Sequence, residues 1–482
     1  MGKVSLADIR KAWYYLEGNG FIRTFYAVKE KLEARKTAYH FEPVSEEEWD
    51  KQREWSAERT IRFSIVVPTY RTNEEFLLDM LRSVQDQSYP HWELILVDAT
   101  ENDSVRLHLR SALGEMLEEV GYGAAESERS WKDGRVRYVH LIRNSGISEN
   151  TNRGLAYAMG DYIGLLDHDD VLTVDALYEM AAAVEAGREK GNCARLLYSD
   201  EDKCNSERTE YFEPHFKEDF NLDLILTNNY ICHFMVMESE MIKRLKLRPK
   251  YDGAQDFDLV LRATEELMDS AEKIVHIPKV LYHWRCHANS TAENPKSKEY
   301  AYEAGREAVQ DFMNVKNIRA IVLPYIHDGY YHWMSQNGPL GCRGDLAAIG
   351  GGLYVKNKLV GGRMSMDGEV FYRGLRRQYS GYMHRAILQQ SAEALDIRMI
   401  SVRKECWEVF EQVTGVPYRE IKRDRWFDVS TLPAGTDYQA VSLALSKALR
   451  ERGYRLLYTP RRKAKWRPKM RRIKPIGGSS WN

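Results

Sequence analysis

Gly160 to Val171 reads Gly-Asp-Tyr-Ile-Gly-Leu-Leu-Asp-His-Asp-Asp-Val, an apolar run that feeds directly into Asp167, Asp169 and Asp170. Carboxylates crowded at a strand end repel one another, and a divalent cation held by oxygen ligands is a usual way to offset that repulsion. Mg2+ or Mn2+ suits such hard donors and neutralises charge growing on a leaving phosphate, so Asp167, His168 and Asp169 read as a corner that handles diphosphate. For Asp167 and Asp169 metal binding is preferred over helix capping. For Asp170 capping of the next helix is preferred.

Outward from this run the chain alternates strand and helix. Phe63–Val67, Glu93–Val97, Val136–Leu141 and Tyr162–Leu166 read as buried strands, with helices at Glu74–Gln87 and Ser148–Met159 between them. That order predicts an α/β fold with a mainly parallel sheet, and ligands bind such sheets at the carboxyl ends of their strands. A less regular stretch follows: a strand at Ala194–Tyr198, a polar loop at Ser199–Arg208, strands at Ile231–Met237 and Lys273–Ile277, the segment Val280–His287, and helices from Gln255 and from Lys298. The expected domains are a helical region at 1–60, the main domain at 61–315, a smaller α/β domain at 320–460 and a basic tail at 461–482.

With 482 residues, 43% of them hydrophobic, two folded units are expected. Net charge is −1, but Arg461–Lys474 holds nine basic residues and no acidic one, leaving −10 on the rest; that balance speaks against a nucleic-acid partner. The six cysteines form no Cys-x-x-Cys pair, which argues against a zinc module or disulfide scaffold and fits a reducing cytoplasm. No apolar stretch is long enough to span a membrane, and no signal-peptide core or myristoylation signal is evident at the start. Gly-x-Gly-x-x-Gly and P-loop motifs are absent from the sequence, which removes the main support for dinucleotide oxidoreductase and P-loop readings.

Other constellations fall at the same strand ends. Pro68, Thr69 and Tyr70 follow the first strand and could wall a base; Asp98 follows the second and could accept from a base imide or a ribose hydroxyl. Asn144-Ser-Gly146 leads to Asn152-Arg153-Gly154 at a helix start, where backbone N–H groups can meet phosphate, although glycines in tight turns explain the same pattern equally well. In Gln255-Asp256-Phe257-Asp258, Asp258 reads as a helix-dipole or capping residue, and Asp256 is the candidate general base. Tyr282-His283-Trp284-Arg285-Cys286-His287 gathers imidazole, indole and guanidinium, groups that can line a wet pocket, ligate metal and hold phosphate.

Taken in order and spacing, these motifs resemble the inverting family 2 glycosyltransferases of the GT-A fold over about Ile61–Phe312. The resemblance implies a metal-dependent enzyme with a nucleoside-diphosphate sugar as donor. It would give Asp98 the base, Asp167 the ribose or metal, Asp169 the cation on the diphosphate, Asp256 the acceptor proton and His283 a further metal or phosphate contact. Two departures stand out: Ala99 replaces a second acidic residue, and Gln255 replaces the glutamate usual before the base. Leu197–Lys203, which includes Asp200 and Glu201, and Asn229–His233 resemble members that add rhamnose or similar sugars to bacterial cell-surface polysaccharides. That implies a dTDP- or UDP-linked donor and places Asp200, Glu201, Gln255, Trp284 and Arg285 near substrate.

Residues 345–460 resemble the acceptor-side half of a second such domain, with its carboxylate positions falling at Ser442 and Ala444, hence a catalytically silent unit for packing, acceptor binding or assembly. The basic tail, with Trp466, Met470 and Ile473, reads either as a peripheral contact with anionic lipid near a lipid-linked acceptor or as a solvated end. Expected partners are therefore the donor, a glycan or lipid-linked acceptor, the inner face of the cell membrane, and further copies of the chain or other glycosyltransferases. The rival readings are a nucleotide-binding pseudoenzyme or scaffold and a nucleic-acid binder.

Overall fold

The computed structural model describes residues 6–34, 39–114, 117–122, 126–130, 134–287, 299–421, 425–467 and 472–476. The chain divides into two compact units: a first, Tyr39–Phe220 with Asn229–Phe312, and a second, Met1–Ala38 with Asn221–Asn228 and Met313–Asn482. The stretch 1–60 is thus shared between them. Met470 lies outside the described residues.

The helices up to residue 315 are α1 (Leu6–Ala34), α2 (Glu46–Ser56), α3 (Glu74–Gln85), α4 (Ser104–Leu113), α5 (Ile147–Tyr157), α6 (Ala176–Glu189), α7 (Leu222–Ile225), α8 (Ser239–Leu245), α9 (Gln255–Leu267) and α10 (Glu299–Val315). The strands of the first unit are β1 (Phe63–Thr69), β2 (Trp92–Asp98), β3 (Leu117–Tyr122), β4 (Glu126–Ser130), β5 (Val136–Leu141) and β6 (Tyr162–Leu165). They continue with β7 (Val171–Leu172), β8 (Leu196–Asn205), β9 (Tyr211–His215), β10 (Met235–Glu238) and β11 (Ile274–Cys286).

One mixed sheet organises this unit, in the order β3-β4-β5-β2-β1-β6-β10-β8-β11-β7, with β9 on β8. β5, β2, β1 and β6 are parallel, so the ends of β1, β2 and β6 open on one side. β10 runs antiparallel between β6 and β8, and β8 is parallel to β11. Phe63, Ile65 and Val67 of β1 pack with Leu77, Met80 and Leu81 of α3 in one buried cluster. On the other face Gly154 of α5 sits against Val66 and Val97, so both faces are covered and the central strands read as unbroken apolar runs.

The polar stretch expected as a loop at Ser199–Arg208 is mostly strand, Ser199–Asn205 of β8. Charge obscured it: Asp200, Glu201 and Asp202 are buried, and each is satisfied by neighbouring protein groups.

In the second unit, Leu346–Val355 runs parallel to Arg455–Arg467 and antiparallel to Ile400–Val402. This repeats the pairing of β8 with β11 and β10, with helices Trp407–Thr414 and Tyr438–Arg450 between the strands in sequence. Counted from the helix starts, Gln439 stands where Asp256 stands in α9. The expected counterpart Ser442 is instead buried inside its helix, donating to Tyr438 O at 2.5 Å and accepting from Ile397 N at 2.9 Å. The offset arises because α9 is followed by a six-residue 3-10 turn before β11, whereas Gly453 and a short turn follow the other helix. Asp437 caps that helix through Gln439 N and Ala440 N.

The basic stretch expected as a separate tail begins as strand: Arg461–Arg467 belongs to Arg455–Arg467, and Trp466 is buried against Tyr438 at 5.7 Å. Its period-2 pattern, Ala464 and Trp466 inward, explains the difference, and Trp466 is unavailable to a lipid surface. No helix among the described residues is long and apolar enough to cross a membrane. The six thiols are unpaired.

Gly154 tests this packing. An added Cβ would lie 2.6 Å from methyl carbons of both Val66 and Val97. Gly→Ala normally strengthens a helix interior by about 1 kcal/mol; here Gly154→Ala is expected to destabilise by about 1–3 kcal/mol through overpacking, seen as a lower urea midpoint.

Candidate active site

The end of β6 delivers the three aspartates with different surroundings. Asp170 is buried; Oδ2 accepts from the Tyr282 hydroxyl at 2.5 Å and Oδ1 from Arg285 N at 2.8 Å. It therefore fixes the turn to β11 and does not cap α6, which begins only at Ala176. Burial, reinforced by Asp169 and Asp167, pushes its carboxyl well above the ordinary range. Asp167 is open to solvent. The protein packed around it raises its carboxyl, His233 opposes and Asp169 adds like-charge repulsion; water on the open side limits that rise. Asp169 is half-buried, and His287 Nε2 lies 3.0 Å from its Oδ2. His168, between them, has a buried Nδ1 with no hydrogen-bond partner.

Of the two histidines of the hexapeptide, the one beside Asp169 is thus His287, not His283. His283 is in register with Asp202 of β8; its Nδ1 sits 2.5 Å from Asp202 Oδ1, and its ring is packed by Phe41 and Tyr211, both at 4.5 Å. His287 lies one residue beyond the end of β11, within the same hexapeptide.

Arg285 also departs from its expected part. Its side chain is buried and donates to Asp169 O at 2.7 Å, to Ser206 O and to Asp79 Oδ2 at 3.0 Å, with the guanidinium over Phe76. It ties the acidic turn to α3 and presents nothing to a phosphate. Trp284 is half-buried, edge-on to His233 at 5.9 Å. Asp200 and Glu201, expected at substrate, are held by protein. Asp200 Oδ1 accepts from Lys217 N and pairs with His276; Glu201 pairs with His215, His233 and Lys217. Burial alone would raise Glu201, but Lys217 and the two histidines bring it well below the carboxylate range. Burial likewise opposes protonation of His233, yet Glu201 and the nearby aspartates raise it to about 9.

At the end of β2, Asp98 is fully buried, accepting from Tyr138 Oη at 2.6 Å and Thr100 N at 2.9 Å. Thr69 is buried and Pro68 partly so; Tyr70 is exposed, donating to Glu101, which also forms a two-pronged pair with Arg71. The phosphate-type site expected at the start of α5 is filled: Asp252 accepts from Ser148 N at 3.3 Å and Ser148 Oγ at 2.5 Å, and a Cβ on Gly146 would lie 2.6 Å from its Oδ2. A carboxylate already stands at the positive helix end. Asn152 is likewise engaged, its amide donating to Leu247 O and accepting from Leu247 N. Arg153 is exposed.

Asp256 lies in the first turn of α9, half-buried, and its Oδ2 accepts from Asn229 Nδ2 at 3.0 Å. Gln255 turns back to accept from Gly253 N at 2.7 Å. Asp258 is buried and paired with Arg248 and Arg262. Asn229 belongs to the Asn229–His233 motif, but its place beside Asp256 comes from pairing across 27 residues that the sequence does not signal; its Oδ1 is buried and unpartnered.

Among the described residues no group of three or more His, Cys, Asp or Glu side chains forms a ready metal cage. Mg2+ nonetheless fits: such an ion is held through one or two carboxylates together with substrate phosphates, and the Asp167–Asp169 repulsion is what it would relieve.

The family described as Glycosyl transferase family 2 matches residues 64–246. An uncharacterised protein of Sinorhizobium fredii, y4gI, is 34% identical over 306 residues, covering 61% of this chain and 31% of that protein. The O-antigen biosynthesis protein RfbC of Myxococcus xanthus is 32% identical over 251 residues, 52% of this chain and 18% of its own length. The chain thus spans less than a third of either relative. The crystal structure of S. aureus TarS 1-349 in complex with UDP-GlcNAc shares 18% identity over 53% of this chain and 67% of that one, with a TM-score of 0.39.

The role given to Arg285 can be checked by stability. Arg285→Met leaves Asp79 to Arg208 at 2.7 Å but strips the buried carbonyls of Asp169 and Ser206 of their donor, and is expected to destabilise the first unit by about 1–3 kcal/mol; Arg285→Lys should not restore it fully, since one ammonium cannot replace the fork. Unchanged thermal denaturation with lost nucleotide binding would return Arg285 to a ligand role.

Proposed function

We propose, from the premise that this chain carries a glycosyl transferase family 2 domain over residues 64–246, that it transfers a sugar from a dTDP- or UDP-linked donor to a hydroxyl of a growing, lipid-linked cell-surface polysaccharide. The name of the Myxococcus relative supports the polysaccharide class. The observation that carries the reading is the placement of Asp98, Asp167 and Asp169 at the ends of β2 and β6, with Asp256 held by Asn229 on α9 of the same unit.

In this reading Asp98, fixed by Tyr138, marks the base and ribose end, beside Pro68, Thr69 and Tyr70. Asp169 with Asp167 and His287 would hold Mg2+ or Mn2+, which when bound offsets charge on the departing diphosphate. Asp256 takes the proton of the acceptor hydroxyl. The acceptor oxygen forms its bond to the anomeric carbon as the bond to the diphosphate oxygen breaks, which inverts that carbon. Asn229 is a positioning residue: its amide donates to the carboxylate oxygen and fixes the lone pair's direction. Buried Asp170, Glu201 and Arg285 hold the acidic turn and β11 still while charge moves.

Nucleotide sugars should be screened for Mn2+-dependent thermal stabilisation and then for turnover. Asp169→Ala is expected to lose the Mn2+-dependent shift. Asp256→Asn should keep it and lower kcat by about 10²–10⁴-fold. Nucleotide binding without turnover in the unchanged protein would instead make this a scaffold in a glycan assembly.

A further inference from the structure

The second unit holds an aromatic and cationic corner that the reaction above does not use. Strands Ile321–Pro324 and Tyr331–Met334 form a hairpin whose loop closes through Tyr325 N to Tyr330 O and Tyr330 N to His327 O, with Gly329 at φ 77°. A residue in that conformation favours glycine, and the turn presents Tyr325, His327 and Tyr330 together. His327 stacks on His384 with ring centroids 3.5 Å apart and on Tyr15 at 5.4 Å. Tyr330 meets the His384 ring edge-on at 5.3 Å, and Tyr325 meets His332 at 5.1 Å.

Two features make this more than packing. First, His327 Nε2, His332 Nδ1 and His384 Nδ1 are each buried without a hydrogen-bond partner, and orphaned buried nitrogens of this kind are rare in folded proteins. Burial holds all three imidazoles neutral, near 4, 4 and 3, so they are polar rings able to donate or accept rather than added cations.

Second, Arg23, Arg377, Arg461 and Lys463 reach this corner with no acidic partner among the described residues. Arg23 acts electrostatically on His327, Tyr325 and Lys463; Arg461 acts on His332 and Tyr325. Burial lowers Lys463, and Arg377 and Arg23 add like-charge repulsion. Arg461 and Lys463 share one face of the strand Arg455–Arg467, whereas Arg462 and Trp466 point to the other, against Trp426 and Tyr438. Of the neighbouring carboxylates, Glu30 is already engaged by Ser380 N and Gly381 N, and Asp328, in the hairpin loop, is exposed to solvent. Like charges gathered beside unpartnered polar rings are a standing cost that a bound anion removes.

We propose that this corner binds an acidic saccharide: a sugar ring lies against the partly exposed side of Tyr325, His327 and Tyr330, and its negative group sits between Lys463, Arg461, Arg377 and Arg23. The proposal rests on the polysaccharide reading of the first unit, for which it supplies a separate place to hold an acidic acceptor.

The test is calorimetric titration of the whole chain with tetragalacturonate, with neutral maltotetraose and with inorganic pyrophosphate. Tetragalacturonate should bind about ten-fold or more tighter than maltotetraose. Lys463→Gln and Arg377→Gln should each lose much of that preference, as should Arg461→Gln, an exposed position where folding is not at stake. Affinity for UDP should be unchanged in all three, so failure here is separable from failure of the transferase reading. Equal binding of charged and neutral tetrasaccharides, or variants that bind as the parent does, overturns the proposal. Displacement of tetragalacturonate by equimolar pyrophosphate overturns its saccharide part.

Discussion

Three carboxylates follow a single four-residue strand, and the site depends on how their mutual repulsion is contained. One, Asp170, is withdrawn into the protein and held by Tyr282 and a backbone amide of β11. The next, Asp169, is approached by His287, while its own carbonyl is gripped by Arg285. Asp167 is left open to water and Asp169 partly so. Arg285, bound at the same time to Asp79 of α3, converts a repulsive turn into a rigid one. A rigid acidic turn is preorganised for a cation and diphosphate, because little of its geometry has to be created when charge develops.

The same logic runs through the rest of the first unit. Asp252, carried by the loop before α9, closes the amino end of α5. The helix packed beneath β1 and β2 is thereby tied to the segment that presents Asp256. Glu201 gathers two histidines and a lysine on the strand beside β10. Buried charge is tolerated here because each group is met by partners of opposite sign or by donors, the condition under which it can persist away from water.

Much of this was legible in the sequence. The apolar runs of β1, β2, β5 and β6 and the aspartates after β6 stood where the pattern placed them, since buried parallel strands leave an unmistakable continuous signal. What was not legible depended on pairing across long separations. β8 looked like a loop because its charged residues are neutralised by Lys217, His215, His276 and His283, up to 81 residues away. His283 and His287 cannot be told apart by type; only register against Asp202 separates them. The helix start at Gly146 gave a fair phosphate signal, but its anion comes from the chain itself, at Asp252. Arg461–Arg467 read as a tail because basic residues mask an alternation carried by just Ala464 and Trp466.

That last strand has a consequence for how the second unit keeps to itself. Along Gly352–Tyr354 its backbone partners are Lys463–Lys465. Clipping the polypeptide after Pro460 would strip those rungs and bare a glycine-rich ribbon of donors and acceptors, a template onto which a neighbouring molecule could add its own strand. The lysines and arginines that look like an appendage thus act as a selvedge, finishing the weave so that it does not run into the next piece of cloth.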